Sequence, residues 1–218
     1  MGPEDAGVNW HPEILHAEQR TVLGQLGRHL TAREFYLAGG TAIALRLGHR
    51  QSAALDWFTG ERIRDPLRLA AEMRDEGLAF ETAQVDRGTL HGAIAGVRVS
   101  LLEYRYQLLR PSDVWPECGC AVASLDDLAS MKLSAIAQRG SRKDFVDLYA
   151  LGLKHGPLAQ MLELYRRKYS VEDIAHVLYS LSYFDDADRE PMPRMLWEVD
   201  WESAKQTIQS WVRRIAGA

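Results

Sequence analysis

The chain is short of the residues that would tie it to a special scaffold or compartment. Its 218 residues include only two cysteines, Cys118 and Cys120. A spacing of two is too close for an unstrained disulfide in an extended strand, and without a second pair there is no zinc site, so both read as reduced structural thiols. No apolar run reaches about 18 residues, which excludes a membrane-spanning helix. The start, MGPEDAGVNWHPE, has neither the basic opening nor the apolar centre of a signal peptide, so a cytoplasmic location is expected. Repeats and low-complexity tracts are also missing. What remains is 46% hydrophobic and 26% charged, an ordinary globular balance, in a chain long enough for one substantial domain or two small ones.

The net charge of -4 conceals an asymmetry. From 129 to 170 there are eight Lys/Arg against three Asp/Glu; from 171 to 218 there are five against nine. The middle reads either as a solvated basic face or as a surface for a polyanion.

Hydrophobic spacing sets out the elements. Ile14, Leu15, Val22, Leu26 and Leu30 predict an amphipathic helix over 11–29. Phe35–Ala38 predicts a short strand, Gly39-Gly40 a break, and Thr41 a cap for a helix over 42–47. A strand follows over 53–58. Asp65-Pro66 opens a helix ending near Gly77, with Asp as cap and Pro at the first position. Segments 80–85, 89–95 and 97–106 read as strands, the last two as a hairpin around Gly96. After Pro116 the pattern becomes helical: 126–138 behind a Ser124/Asp127 capping box, 142–153 capped by Ser141, then 158–168, 171–183 and 201–215. The fold class is α+β, a small mixed sheet with helices (1–122) followed by a helical region (123–218).

The tract from Tyr36 to Thr59, YLAGGTAIALRLGHRQSAALDWFT, carries the most chemistry. A glycine turn opening a helix presents backbone N–H groups, and here the Thr41 hydroxyl, to a phosphate. On the next strand, positions 54 and 56 share a face and Leu55 takes the other. Two acids there would hold two Mg²⁺ ions roughly 4 Å apart and clamp a nucleoside triphosphate. Only Asp56 is an acid; the other position is Ala54. Ser52 lies on the same face, and His49 and Arg50 precede it where they could meet phosphate.

Gly39-Gly40-Thr41, Leu47-Gly48-His49-Arg50-Gln51-Ser52 and Leu55-Asp56-Trp57-Phe58 resemble the AbiEii-type nucleotidyltransferases. That family belongs to the polymerase-β-like superfamily, includes the MenT toxins, and has the pattern GGT, short helix, R-x-S-x-D-L-D-F-F. A second block, Asp127 to Ala135 and then Gln138-Arg139-Gly140-Ser141-Arg142-Lys143-Asp144-Phe145-Val146-Asp147-Leu148, is similar to its K-x-x-A, R, K-D-x-x-D-L signature. The two blocks extend the resemblance over roughly residues 10–155, with the tail matching only as generic helix.

The resemblance implies a polymerase-β-like core, with Gly39, Gly40 and Ser52 lining a triphosphate and Asp56 as metal ligand. It implies Lys132 as a phosphate binder and Asp147 as ligand, base or orienter. Lys132 and Arg139 are seven apart and share a helix face; Arg139, Arg142 and Lys143 gather at the following helix N-terminus, as a polyphosphate pocket or as a solvated basic helix end. Asp144 has an alternative reading as the acid of a capping box with Ser141. Glu103 is a candidate third carboxylate, with a strand-edge charge as the plainer reading. The activity implied is Mg²⁺-dependent transfer of a nucleoside monophosphate from an NTP to an acceptor hydroxyl. The setting implied is a toxin–antitoxin or abortive-infection pair with a cognate antitoxin protein. The MenT precedent makes the tRNA 3′ end the favoured acceptor. The basic segment 132–168, with Tyr149, Tyr165 and Tyr169, could meet RNA, and the acidic stretch 185–190 could shield it or touch an antitoxin. Alternatives are a protein acceptor, including Ser52 itself, and a dead protein that binds NTP, RNA or a partner. Loss of a metal-ligating carboxylate costs on the order of 10³-fold in rate, so the chain is expected to be nearly inactive. With the other motif positions intact, Ala54 reads as a deliberate Asp→Ala change that inactivates the enzyme, with a natural pseudoenzyme as the alternative.

Overall fold

Alternation along Ala54-Leu55-Asp56-Trp57-Phe58-Thr59 forms β2 (Ala54–Thr59), the middle strand of a seven-stranded sheet in the computed structural model, which describes residues 8–217. Leu55 and Trp57 are fully buried on one face, while Ala54, Asp56 and Phe58 are half-buried on the other, as the period of two requires. On one side β2 runs antiparallel to β1 (Phe35–Ala38), with Ala38 opposite Asp56. On the other it runs parallel to β5 (Val97–Glu103), with Asp56 beside Ser100. β5 continues through a hairpin to β4 (Thr89–Ile94) and then β3 (Glu81–Asp86). Ala95 and Gly96 at its turn both have positive φ, which matches the strands' right-handed twist.

The far edge holds two strands that the sequence does not announce, β6 (Asp113–Trp115) and β7 (Cys120–Val122). Three residues each is too short for alternation to register. β7 pairs parallel to β1, Leu37 to Val122, and buries Cys118 and Cys120 as free thiols.

Helix boundaries differ where a local cap competes with periodicity. Before α1 (Ala17–Ala32), Pro12–Ile14 makes a 3₁₀ turn and Leu15 is extended. His16 then caps the helix, with its N–H donating to Gln19 Oε1 at 3.1 Å. α2 (Gly39–Leu47) begins at the glycines, three residues earlier than expected, so Thr41 lies inside it and caps nothing. α3 (Pro66–Asp75) is capped as predicted, Arg68 N donating to Asp65 Oδ1 at 3.0 Å. Segment 171–183 is helical only in α7 (Ala175–Ser180), because Asp173 accepts from Ala175 N and ties up the preceding turn.

α4 (Leu125–Gln138), α5 (Arg142–Lys154), α6 (Leu158–Tyr169) and α8 (Trp201–Ala216) complete the chain. The boundary near 122 falls at the end of β7, yet Leu37 and Trp57 share one buried cluster with Leu133 and Phe145. After α7 the chain returns across the first half: Gln51 N donates to Arg194 O at 2.9 Å and Leu196 N to His49 O at 2.9 Å. No helix among the described residues is long and apolar enough to cross a membrane.

Candidate functional site

The exposed face of β2 and β5, the start of α2 and the facing sides of α4 and α5 enclose a cavity of about 770 Å³. This is within the size range of small-ligand sites, roughly 300–1,000 Å³. One wall is the glycine turn. Gly39 has φ +66°, and a Cβ there would stand 2.9 Å from Asp56 Oδ2. A Cβ on Gly40 would stand 2.3 Å from Arg50 Nη2. The first turn of α2 has no side-chain cap, so its backbone N–H groups keep their donor capacity at the cavity edge. Thr41 is buried behind this wall rather than lining it: its hydroxyl donates to Ala54 O and lies 2.8 Å from Ser52 Oγ. Gln19 Nε2 donates to Ser52 O at 2.6 Å, so the stretch entering β2 is held from both sides.

A buried ionic cluster supports the cavity. Asp147 has no exposed surface. It accepts from Arg50 Nε at 2.6 Å, Arg50 Nη2 at 2.9 Å and His49 Nε2 at 2.7 Å, and Lys132 Nζ lies 2.8 Å away. Lys132 also donates to Asp144 Oδ1 at 2.8 Å. Asp144 further accepts from Arg139 Nε at 3.0 Å and from the Ser141 hydroxyl at 2.6 Å. Asp144 and Asp147, three apart, therefore share the face of α5 turned toward α4 and the end of α2. Burial alone would raise both carboxyls, but Arg50 and Lys132 hold Asp147 well below the usual range, and Lys132 with Arg139 does the same for Asp144. Burial lowers Lys132, and the two carboxylates more than restore it. Burial pushes His49 down, against the opposing pull of Asp147.

Gly39, Gly40, Arg50, Ser52, Ala54, Asp56, Lys132 and Arg139 all line the cavity, so both sequence blocks meet there. Asp147 lies beneath it with its lone pairs taken up by cations, which is an orienter's position and leaves no edge for an ion. Asp144, in contrast, does reach the cavity. Arg142 is set apart: it donates to Ala187 O and Asp188 O, both at 2.8 Å, and stacks over Trp201. Glu103 also lies elsewhere, accepting from Ile63 N at 3.1 Å, because alternation on β5 turns 98, 100 and 102 to the cavity. The basic segment does not form one surface, since Lys132 and Lys168 are buried, the latter 2.6 Å from Asp127. Tyr149 packs on Trp211, and Tyr165 and Tyr169 pack on each other. The acidic stretch is partly spent on the fold as well, with Glu190 accepting from Arg142 N and Asp188 from Lys205.

Sequence reading missed Arg98, Ser100 and His91, which line the same cavity. His91 Nδ1 is 3.0 Å from Ser100 Oγ, beside Asp56 in the strand order. Alternation on β5 marked the residues, but only the pairing of β5 with β2 gives them a place.

Asp56 has no ion pair or side-chain hydrogen bond among the described residues, and one carboxylate plus substrate phosphates and water is a sufficient Mg²⁺ site. No group of three acidic, His or Cys side chains suited to a metal occurs among the described residues. The residues fit one ion at Asp56 and do not fit a pair.

A family model described as nucleotidyl transferase AbiEii toxin, type IV TA system, matches residues 96–211. It extends through the C-terminal helices, beyond the span of the sequence motifs. The uncharacterized protein aq_aa25 of Aquifex aeolicus strain VF5 is 36% identical over 201 residues, 91% of this chain and 96% of that protein. Among solved structures, a candidate nucleotidyltransferase from H. pylori superimposes with a TM-score of 0.56 at 14% identity, over 92% of this chain and 96% of that one. MenT4, the nucleotidyltransferase toxin Rv2826c from Mycobacterium tuberculosis H37Rv, does so with a TM-score of 0.54 at 16% identity, over 90% and 83%. At these identities the two structures speak for the fold alone. The fold and the family match together establish that the chain belongs to the AbiEii nucleotidyltransferase toxin family.

Proposed function

We propose that the protein transfers a nucleoside monophosphate from an NTP to an acceptor hydroxyl, with the 3′ end of tRNA as acceptor, as the toxin of a toxin–antitoxin pair. The observation that carries this reading is the composition of one cavity. A free carboxylate, an uncapped helix N-terminus and a set of lysines and arginines all face it. The N–H groups of the Gly39-Gly40 turn bind phosphate oxygens, and Arg139 and Lys143 approach from the helical side. Asp147 and Lys132 orient Arg50 and Asp144 so that these do not reorganise as charge moves. Asp56 would hold a single Mg²⁺ ion, which when bound neutralises phosphate charge. The tRNA end is favoured by resemblance to MenT toxins and by exposed cations at the rim. Ala54 removes one source of charge stabilisation, so transfer is slow in this chain.

The test is incubation with labelled NTPs, Mg²⁺, total tRNA and the candidate antitoxin. The protein as it stands should label tRNA slowly, Asp56→Ala should abolish the label, and Ala54→Asp should raise the rate on the order of 10²- to 10³-fold. Label on protein instead would move the acceptor to a polypeptide. No label from any variant, with NTP still bound, would leave only a binding role.

A further inference from the structure

Ala54 and Arg98 are register partners on the parallel strands β2 and β5, two residues before the pair Asp56 and Ser100 on the same face. All four line the cavity. Adjacent strands lie roughly 4.8 Å apart, so the residue beside Ala54 on the cavity face is Arg98, whose side chain is exposed. Lys132 and Arg139 are tied to Asp144, whereas Arg98 has no carboxylate partner among the described residues. The same is true of Lys143 and Arg194, on the opposite walls. In all, the cavity is lined by six lysines and arginines (Arg50, Arg98, Lys132, Arg139, Lys143, Arg194) and two carboxylates, Asp56 and Asp144.

A strand row with two acids carries two negative charges and repels a triphosphate until divalent ions intervene. Here the equivalent row carries Asp56 alone, and Arg98 on the neighbouring strand offsets its charge. The guanidinium also opposes a second cation at the place where Ala54 offers it no ligand. Arginine suits this place because it stays charged and presents a planar set of donors matched to phosphate oxygens.

We propose that Arg98 is a triphosphate-binding residue that supplies, as a fixed positive charge, what a second metal ion would supply, so that this protein binds NTPs without divalent metal. The proposal rests on the nucleotide reading of the cavity but makes a separate claim, about binding and not about transfer.

Calorimetric titration of the full chain with ATP, CTP, GTP and UTP, in EDTA and in Mg²⁺, tests it. At least one NTP should bind in EDTA. Arg98→Ala should weaken that binding about tenfold or more, the loss of one charge-assisted contact. Arg98→Lys should retain part of it. Ala54→Asp should also weaken binding in EDTA, because without Mg²⁺ the new carboxylate repels the triphosphate beside Arg98. Thermal melts of each variant control for folding. The proposal is overturned if Arg98→Ala binds like the wild type in EDTA, or if the wild type binds only with Mg²⁺. It is also overturned if nothing binds in either buffer. Transfer by a protein whose Arg98→Ala variant binds normally sinks this proposal alone. Arg98-dependent binding with no transfer to any acceptor sinks the transfer reading alone.

Discussion

Arg50 lays its guanidinium along the carboxylate of Asp147, Nε to Oδ1 at 2.6 Å and Nη2 to Oδ2 at 2.9 Å, and Gly40 passes so close that it has no room for a side chain. A buried pair of this kind stabilises little against an apolar substitute but is costly to break on one side. Asp147→Asn should therefore cost about 3–5 kcal/mol, because Arg50 and Lys132 would be left buried without their countercharge. Urea denaturation monitored by circular dichroism measures it; a loss under 1 kcal/mol would show that the cluster relaxes.

Gly40→Ala probes the same contact from the other side. Its methyl would fall 2.3 Å from Arg50 Nη2. Either Arg50 gives up one of its two bonds to Asp147 or α2 moves, at about 1–3 kcal/mol. Gly24→Ala, where nothing lies within 4 Å of the added carbon, should instead be neutral or slightly stabilising. Equal melting shifts for the two would refute the steric reading.

Arg142→Ala should leave NTP affinity unchanged while lowering stability by about 1–2 kcal/mol, through lost bonds to Ala187 O and Asp188 O. Arg139→Ala should do more to nucleotide binding, since its guanidinium faces the cavity. Titration with NTP and a thermal melt of both variants separate the two roles.

His49 predicts a pH dependence. Burial lowers its pKa in the folded protein, so at mildly acid pH the unfolded chain takes up a proton that the native chain refuses. Stability from this source is complete above about pH 6.5 and falls as pH drops, by up to about 1.4 kcal/mol per unit for one proton. The sign is the same for Asp144 and Asp147, whose depressed pKa values act below the ordinary carboxylate range near pH 4. His49→Gln should flatten the slope between pH 6.5 and 5 without removing the acid transition below it. An unchanged slope in urea titrations would exclude His49 as its source.

The sequence made legible whatever depends on neighbours in the chain. Alternation placed Ala54 and Asp56 on one face, and the Asp65-Pro66 cap opened α3 where expected. Gly39-Gly40 marked a turn because a positive φ at Gly39 excludes most other residues. The rest depended on contacts distant in sequence. Lys132 and Lys168 look like surface charge until Asp144, Asp147 and Asp127 are brought to them. Thr41 looks like a cap until β2 presents the Ala54 carbonyl to it. Arg98 is one of many arginines until β5 pairs beside β2.

The return of residues 193–197 to His49 and Gln51 bears on how the protein is made. Ribosomes deliver the glycine turn, Asp56 and Arg98 early, and these segments can begin to pack as they emerge. The wall that includes Pro193 and Arg194 arrives much later, and its bonds to His49 and Gln51 close a loop of more than 140 residues. The nascent polypeptide therefore carries an unfinished pocket until that segment has emerged. Whatever the protein does to nucleotides waits for that return.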